Sequence, residues 1–211
     1  MTPTNGPDPC VFLVDDDCSI LAAFSRLLGS AGYKVRAFSS PADFLAAHDR
    51  AMPGCALLDV GMIEMDGLAL QRLLRQEGVD RPVIFVTGQD DLQSGISAMK
   101  NGAMDYLSKP VGDEALLAAV GKAIALDCEA RRERGEVAAL RALFDTLTPR
   151  EREVMMLVVR GRLNKQIAND LGVVEKTVKV HRARVMEKMR VRSVAALVQI
   201  AGRLAGAGRT P

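Results

Sequence analysis

The feature that most constrains the fold of this chain is an alternation of strand-like and helix-like segments, repeated five times in its first half. Each short apolar run is followed by an amphipathic stretch with helical spacing. The strand-like segments lie at 11–14, 33–38, 55–58, 82–86 and 104–107, and the second of them alternates between apolar and charged residues. Nearly continuous apolar strands indicate a sheet that is covered on both faces, and their alternation with helices indicates parallel strands. We therefore predict an α/β fold with a doubly wound, five-stranded parallel sheet over residues 10–125.

The second half of the chain predicts helices only. Residues 126–143 are rich in Ala, Arg and Glu, a composition that predicts a helical linker. Thr148 and Glu151 have the spacing of a capping box, with Pro149 at the first helical position. Further short helices follow, separated by glycines. This pattern predicts a small all-α domain at 144–211.

No segment predicts export or membrane insertion. Residues 1–9 contain three prolines and no apolar core, so we expect a disordered tail rather than a signal peptide. No run of about 18 apolar residues occurs, and we therefore expect no membrane partner. The four cysteines lack metal-ligand spacing and are expected to be reduced. These features favour a cytoplasmic protein.

Charge is distributed very unevenly along the 211 residues. Residues 1–130 contain 10 Lys and Arg against 18 Asp and Glu, a net charge of −8. Residues 131–211 contain 18 basic and 8 acidic residues, a net charge of +10. An acidic domain followed by a basic domain indicates a cation or phosphate site in the first and a nucleic-acid partner for the second.

Polar side chains of complementary chemistry follow the predicted strands. Asp15 and Asp16 follow the first strand, Asp59 follows the third, Thr87 ends the fourth and Lys109 follows the fifth. Because ligands of parallel α/β sheets bind beyond the carboxyl ends of the strands, we expect these groups to share one crevice. Clustered carboxylates suit Mg²⁺. A carboxylate beside a metal, a hydroxyl and an amine has the parts of a phosphoryl-transfer site.

With these five positions in this order and strand context, the first half resembles the receiver domain of bacterial response regulators, which has a flavodoxin-like fold. The resemblance implies that Asp59 accepts a phosphoryl group, assisted by Thr87 and Lys109. It also implies a conformational switch at Thr87 and Tyr106. The implied Mg²⁺ ligands are Asp15, Asp16, Asp59 and the carbonyl oxygen of Gly61.

The second half contains a motif of comparable specificity. The segments 164–168, 171–172 and 176–181 resemble the helix-turn-helix of LuxR-type DNA-binding domains. Together with a receiver, this arrangement is similar to the FixJ-like subgroup of response regulators.

The predicted recognition helix has a buried stripe and an outer face. At 100° per residue, Val178, Val185 and Met189 fall on one side. The second helix of a helix-turn-helix pair lies in the major groove and reads bases from its N-terminal turns. The base-edge candidates are Lys176, Lys179, Val180 and Ala183, the phosphate candidates are Lys165, His181, Arg182 and Arg184, and the motif adds Asn164 and Thr177 as further DNA-binding candidates. A packed position is equally compatible with His181.

The recognition helix is predicted to lack an N-cap hydrogen bond. Val174 stands at its N-cap position and cannot accept a hydrogen bond from the first-turn amides. Glu175 offers partial compensation through the helix dipole.

These features predict a DNA-binding transcription regulator of a two-component system. The resemblance implies Mg²⁺-dependent phosphorylation by a sensor histidine kinase, promoter sites on double-stranded DNA, homodimerisation and contact with RNA polymerase. The chain would not be an enzyme beyond catalysing its own phosphorylation.

Three alternatives stay open at the level of sequence. A Mg²⁺-dependent phosphatase would also use a nucleophilic Asp, but it would have no use for a basic helical domain. A receiver that works without phosphate would not need the intact acidic set. An RNA-binding antiterminator would not read bases from the major groove, because side chains cannot reach the bases there in A-form RNA.

Overall fold

The computed structural model describes residues 8–88 and 92–207, without the side chains of residues 92–94 and 207. Residues 1–7 of the predicted disordered tail lie outside the described residues. The chain forms two compact units, Met1–Arg131 and Arg132–Pro211. We describe each unit by itself.

The first unit contains a five-stranded parallel sheet with the order β2-β1-β3-β4-β5. This confirms the predicted fold class. The strands are β1 Cys10–Val14, β2 Lys34–Phe38, β3 Gly54–Leu58, β4 Val83–Thr87 and β5 Asp105–Ser108. The helices are α1 Cys18–Ser30, α2 Pro41–Ala47, α3 Gly67–Gln76, α4 Leu92–Lys100 and α5 Asp113–Asp145. Residues 126–143, predicted as a helical linker, lie within α5.

Side chains that alternate along the strands build a separate core on each face of the sheet. Phe12, Leu58 and Phe85 belong to one core, which also includes Phe44 of α2. Their strand neighbours belong to the other core, where Ile84 joins the helical stripe of α5. Because all of β1, β3 and β4 is buried, these strands are apolar at nearly every position rather than at every second one.

A buried polar cluster holds the amino-terminal edge of this sheet. The Asp127 carboxylate accepts hydrogen bonds from the Gly54 amide and from Nε of Arg131, both at 2.7 Å. Arg131 also donates to the carbonyl oxygens of Arg50, Ala51 and Met52. Gly54 is required there, because a Cβ atom would lie 1.8 Å from the Cys10 carbonyl oxygen. The cluster therefore fixes α5 against the loop before β3.

The second unit packs helices around one apolar core. Its remaining helices are α6 Pro149–Val159, α7 Asn164–Leu171, α8 Glu175–Lys188 and α9 Val194–Ala207. Leu143 and Phe144, near the end of α5, pack against this core. Gly172 ends α7 in the left-handed conformation, with φ of 63°, which glycine adopts without a steric penalty.

Glu151 connects two helices of the second unit from a buried position. The predicted capping box is present: the Glu151 amide donates to Thr148 Oγ1, and the Glu151 carboxylate accepts from the Thr148 amide. The same carboxylate accepts from Nζ of Lys188 on α8 at 2.6 Å. The hydrogen bonds from Lys188 and from the Thr148 amide lower the pKa of Glu151 from its ordinary 4.5 to about 2.

The recognition helix α8 begins as predicted, with Val174 at an uncapped N-cap position. The backbone of Val174 is extended and its side chain makes no capping hydrogen bond. The side chain is 68% exposed, so little apolar burial depends on it.

We predict that Glu151→Gln weakens the second unit by roughly 1–3 kcal/mol at pH 7, because it removes a charge-assisted bond to Lys188. A carboxyl with a lowered folded-state pKa contributes stability that is complete above its unfolded pKa and disappears as pH falls through the folded one. The difference between wild type and variant should therefore shrink between pH 4.5 and pH 2. Scanning calorimetry of the full chain measures it.

The matched control for this experiment is Glu153→Gln. Glu153 forms an exposed ion pair with Arg150 on the same helix, and such pairs contribute about 0–1 kcal/mol. An effect of Glu151→Gln that stays constant down to pH 2 would contradict the assigned pKa.

We predict that Val174→Ser raises the free energy of unfolding by roughly 0.5–2 kcal/mol, because serine supplies the acceptor that the first-turn amides lack. Thermal melts compare it with wild type. Val180→Ser makes the same exchange inside α8, at another exposed valine, and should not stabilise. Equal shifts for the two variants would show that capping is not the cause.

Candidate functional site

Two buried carboxylates and one ammonium group meet at the carboxyl edge of the sheet. Nζ of Lys109 donates to Asp15 Oδ2 at 2.7 Å and to Asp59 Oδ1 at 2.8 Å. Asp15 and Asp59 follow the neighbouring strands β1 and β3, whereas Lys109 follows β5. The parallel topology therefore brings together residues that are 50 and 94 positions apart in sequence.

Backbone amides hold the remaining oxygens of the two carboxylates. The Gly61 amide donates to Asp59 Oδ2 at 2.7 Å, and the Asp17 amide donates to Asp15 Oδ1 at 2.9 Å. Each carboxylate is thus fixed by one amide of its own loop and by the shared Lys109. Both side chains have a defined orientation toward the same point in the crevice.

Burial and pairing act in opposite directions on the charges of the site. Burial raises the pKa of Asp15 above its ordinary value, while its hydrogen bonds from Lys109 and the Asp17 amide oppose that rise. Burial acts to lower the pKa of Lys109, but the hydrogen bonds to Asp15 and Asp59 outweigh it, and the pKa is raised. Lys109 therefore remains a cation at neutral pH, and it offsets the charge of two neighbouring acids.

Thr87 and Tyr106 lie on the two strands nearest Lys109. Thr87 is buried at the end of β4, and its carbonyl oxygen accepts from the Lys109 amide at 2.7 Å. Tyr106 lies on β5, with its ring centroid 6.3 Å from that of Phe85. Its ring also faces Gly95 of α4, where a Cβ atom would come within 3.5 Å. The glycine leaves room for an aromatic ring beside α4.

The predicted metal ligands are only partly assembled. Asp15 and Asp59 converge on Lys109, whereas Asp16 is exposed. Within residues 8–88 and 92–207, no group of three or more His, Cys, Asp or Glu side chains is arranged to hold a metal ion. The two convergent carboxylates are nevertheless hard oxygen donors of the kind that Mg²⁺ selects, and Mg²⁺ needs only one or two of them from the protein.

This site is also positioned by two residues, Asp17 and Gly67, that were not predicted as site residues from the sequence. The Asp17 side chain caps α1 by accepting from the Ser19 amide at 2.7 Å, while its own amide holds Asp15. Gly67 begins α3 so close to the Asp59 backbone that a Cβ atom would lie 2.2 Å from the Asp59 carbonyl oxygen. An Asp before a helix and a Gly at a helix start were the signals available for them.

The outer face of α8 is built as the helical angles predict. Val178, Val185 and Met189 are buried in the core of the second unit. The exposed residues of this helix include Lys176, Lys179, Val180, Ala183 and Arg184. Nζ of Lys179 lies 3.4 Å from the Glu175 carboxylate in an exposed ion pair. Lysines, a valine and an alanine are therefore displayed together on one surface.

Other DNA-binding candidates are partly engaged within the protein. Nη1 of Arg182 donates to Asn164 Oδ1 at 2.9 Å, which joins α8 to the first residue of α7. His181 is half-buried, and its Nδ1 is buried without a hydrogen-bond partner among the described residues. Thr177 is half-buried and Lys165 is exposed. Arg182 thus has a structural partner as well as a positive charge.

Among the described residues, no helix combines the length and the hydropathy that a membrane span requires.

Family models match both halves of the chain. Residues 11–121 match the response regulator receiver domain, and residues 145–201 match the luxR family of bacterial regulatory proteins. These ranges lie within the predicted domains at 10–125 and 144–211, whose limits stay predictions.

Relatives share the whole arrangement. The response regulator protein TmoT of Ectopseudomonas mendocina is 40% identical over 95% of this chain and 91% of its own. The transcriptional regulatory protein FixJ of Azorhizobium caulinodans is 38% identical over 90% of each chain. The solved structure of the response regulator StyR is 41% identical, covers 93% of this chain and 99% of its own, and has a TM-score of 0.87.

The predicted resemblance is confirmed by the matches to both domain families and by relatives that extend over nearly the whole chain. The geometry of the carboxylate site is consistent with it. The chain belongs to the two-component response regulators in which a receiver domain precedes a LuxR-type DNA-binding domain, as in FixJ, and it is a transcription regulator.

Proposed function

We propose that this response regulator accepts a phosphoryl group on Asp59 from a sensor histidine kinase, and that phosphorylation controls how the LuxR-type domain binds DNA and dimerises. The observation that carries the proposal is the shared contact of Lys109 with Asp15 and Asp59 at the carboxyl edge of the sheet. This arrangement offers a fixed carboxylate nucleophile beside a cation.

The residues of the crevice have separate tasks in the transfer. A carboxylate oxygen of Asp59 attacks the phosphorus, the bond from phosphorus to the kinase histidine nitrogen breaks, and an acyl phosphate forms. The Gly61 amide fixes the carboxylate orientation before the attack. The ammonium group of Lys109 stays beside the oxygens that gain negative charge.

The proposed metal is Mg²⁺, which would supply positive charge for the phosphoryl oxygens. The carboxylates of Asp15 and Asp59 would hold it, together with the Gly61 carbonyl oxygen and with Asp16, directly or through water. Their oxygen donors fit this ion. Lys109 already contacts both buried carboxylates, so these groups would bind the ion and the ammonium group together.

The signal would leave the site through Thr87 and Tyr106. In the proposed active state, the Thr87 hydroxyl turns toward the phosphoryl group, and the Tyr106 ring, which here lies against Gly95, rotates inward. A phosphoryl group that binds one arrangement better than the other shifts the population toward it.

The DNA complex that we propose places α8 in the major groove. Lys176, Lys179, Val180 and Ala183 would face base edges, whereas Lys165, Arg184, His181 and Arg182 would face phosphates. Asn164 and Thr177 belong to the same interface. Because Arg182 is bonded to Asn164, we assign this pair to fixing α8 on α7 while it approaches the backbone of the DNA.

Other partners follow from the family. A homodimer would read paired half-sites of double-stranded DNA, and RNA polymerase would be the target of the bound regulator. Transcription regulation favours a cytoplasmic location. The chain would catalyse only its own phosphorylation at Asp59. A phosphatase, in contrast, would hydrolyse many substrate molecules.

We predict that Asp59→Asn abolishes phosphorylation by a small phosphodonor, because an amide cannot form the acyl phosphate. The wild-type chain should gain one phosphoryl group only when Mg²⁺ is present. Intact mass spectrometry measures both results. The control is Asp66→Asn in the following loop, because Asp66 only caps α3 and Asn caps equally well. Phosphorylation of the Asp59→Asn variant at the wild-type rate would contradict the assignment.

We predict that Lys179→Ala weakens DNA binding and relaxes the preference at one base pair, by about 1–3 kcal/mol if Lys179 reads a base. Competition titrations against single-base-pair variants of a selected duplex measure it. Lys122→Ala removes an equal exposed charge from the receiver and should leave affinity unchanged. If Lys179→Ala weakens all duplexes equally, Lys179 contacts a phosphate instead.

A further inference from the structure

Val174 is an exposed apolar residue whose position in the fold is not explained by packing. It is 68% exposed, although it begins a helix whose next aliphatic residue, Val178, is fully buried. The extended backbone of Val174 takes its side chain off the helical angles of the residues that follow.

The preceding residue already supplies the apolar contact that commonly fixes the start of a helix. Val173 packs against the core that contains Val178, which corresponds to the N′ and N4 positions of a hydrophobic staple. Val174 is therefore not needed as the staple. Because it also accepts no hydrogen bond from the first turn, its side chain has neither of the usual functions of this position.

The remaining property of Val174 is an accessible, stiff, apolar surface at the end of the recognition helix. A β-branched side chain has few rotamers, so little conformational freedom is lost when it is held against a partner. The N-terminal end of a recognition helix contacts base edges. Among the groups displayed in the major groove, the C5-methyl of thymine is the apolar one.

We propose that Val174 is a specificity-determining residue that packs against the C5-methyl group of one thymine in each DNA half-site. This inference rests on the proposed docking of α8 in the major groove. It adds a base contact at the cap position, separate from the candidates on the outer face of α8.

The neighbouring helix provides a matched comparison. Leu163 is also an N-cap residue without a side-chain acceptor, and it is also 68% exposed. However, it begins α7, the first helix of the pair, which crosses the DNA backbone rather than entering the groove. Replacing either residue should therefore have the same general effects on helix stability. Only the replacement of Val174 should change how the protein responds to a thymine methyl group.

The experiment removes single methyl groups from the DNA. A duplex is first selected from a random library by the wild-type full chain, treated with a small phosphodonor and Mg²⁺. Each thymine of that duplex is then replaced in turn by uracil, which lacks only the C5-methyl group. Affinities are measured for wild type, Val174→Ser and Leu163→Ser, after thermal melts have verified that each variant is folded.

We expect one thymine per half-site at which uracil weakens the wild type about three- to fivefold, the factor that corresponds to burying roughly one CH₂ group. Leu163→Ser should show the same penalty there, and Val174→Ser should show none. If Val174→Ser binds too weakly to titrate, the nearly isosteric Val174→Thr replaces it and should show a smaller penalty at the same thymine.

Uracil penalties that are identical in wild type and in the Val174 variants at every thymine would overturn the inference and leave the proposed function intact. A wild-type chain that selects no duplex at all would overturn the proposed DNA reading itself. The two failures are therefore distinguishable.

Discussion

The contact of one ammonium group with two buried carboxylates is the interaction on which the receiver depends. Asp15 and Asp59 would repel each other in a crevice with little solvent, and Lys109 offsets that repulsion from the end of β5. The three residues come from three strands, so the contact requires the correct parallel order of the sheet. A phosphoryl group on Asp59 would add negative charge at this point, and it is therefore well placed to change the position of Lys109 and of the Thr87 backbone bonded to it.

The acid–amine crevice could be predicted from sequence because a parallel sheet converts sequence order into spatial position. Once the apolar runs were recognised as strands, the residues after them had to meet at one edge. The stripe of α8 was predictable for a similar reason, since helical angles fix which residues share a face. The capping box at Thr148 and the poor cap at Val174 depend on only a few neighbouring residues, and local patterns of this kind are visible without a fold.

Contacts between distant segments could not be predicted, because no strand order or helical angle relates the two residues. Nothing in the sequence around Arg131 indicates that it binds three carbonyl oxygens about 80 positions away, and nothing around Glu151 indicates its bond to Lys188. The bond of Arg182 to Asn164 is a further case, because Arg182 was assigned to a DNA phosphate and Asn164 to DNA by the motif, without any indication that the two residues meet. For Asp16 the sequence predicted more than the structure shows. The acidic pair suggested two equivalent metal ligands, yet Asp15 is buried and Asp16 is exposed. Successive residues at the end of a strand point in different directions.

The N-cap residues of the helices indicate where helix stability and DNA recognition make opposite demands on the sequence. Five helices are preceded by a residue whose side chain accepts a hydrogen bond from a first-turn amide, namely Asp17, Ser40, Asp66, Thr148 and Ser193. The two helices of the DNA-binding pair instead begin at exposed Leu163 and Val174, which have none. A polar cap would stabilise each of them, but in the proposed DNA complex it would also bind the amides that a phosphate can use. At Val174 it would in addition remove the apolar surface that we propose for the thymine methyl group. In the proposed complex, the lower intrinsic stability of the first turns of α7 and α8 would therefore leave groups available to the DNA.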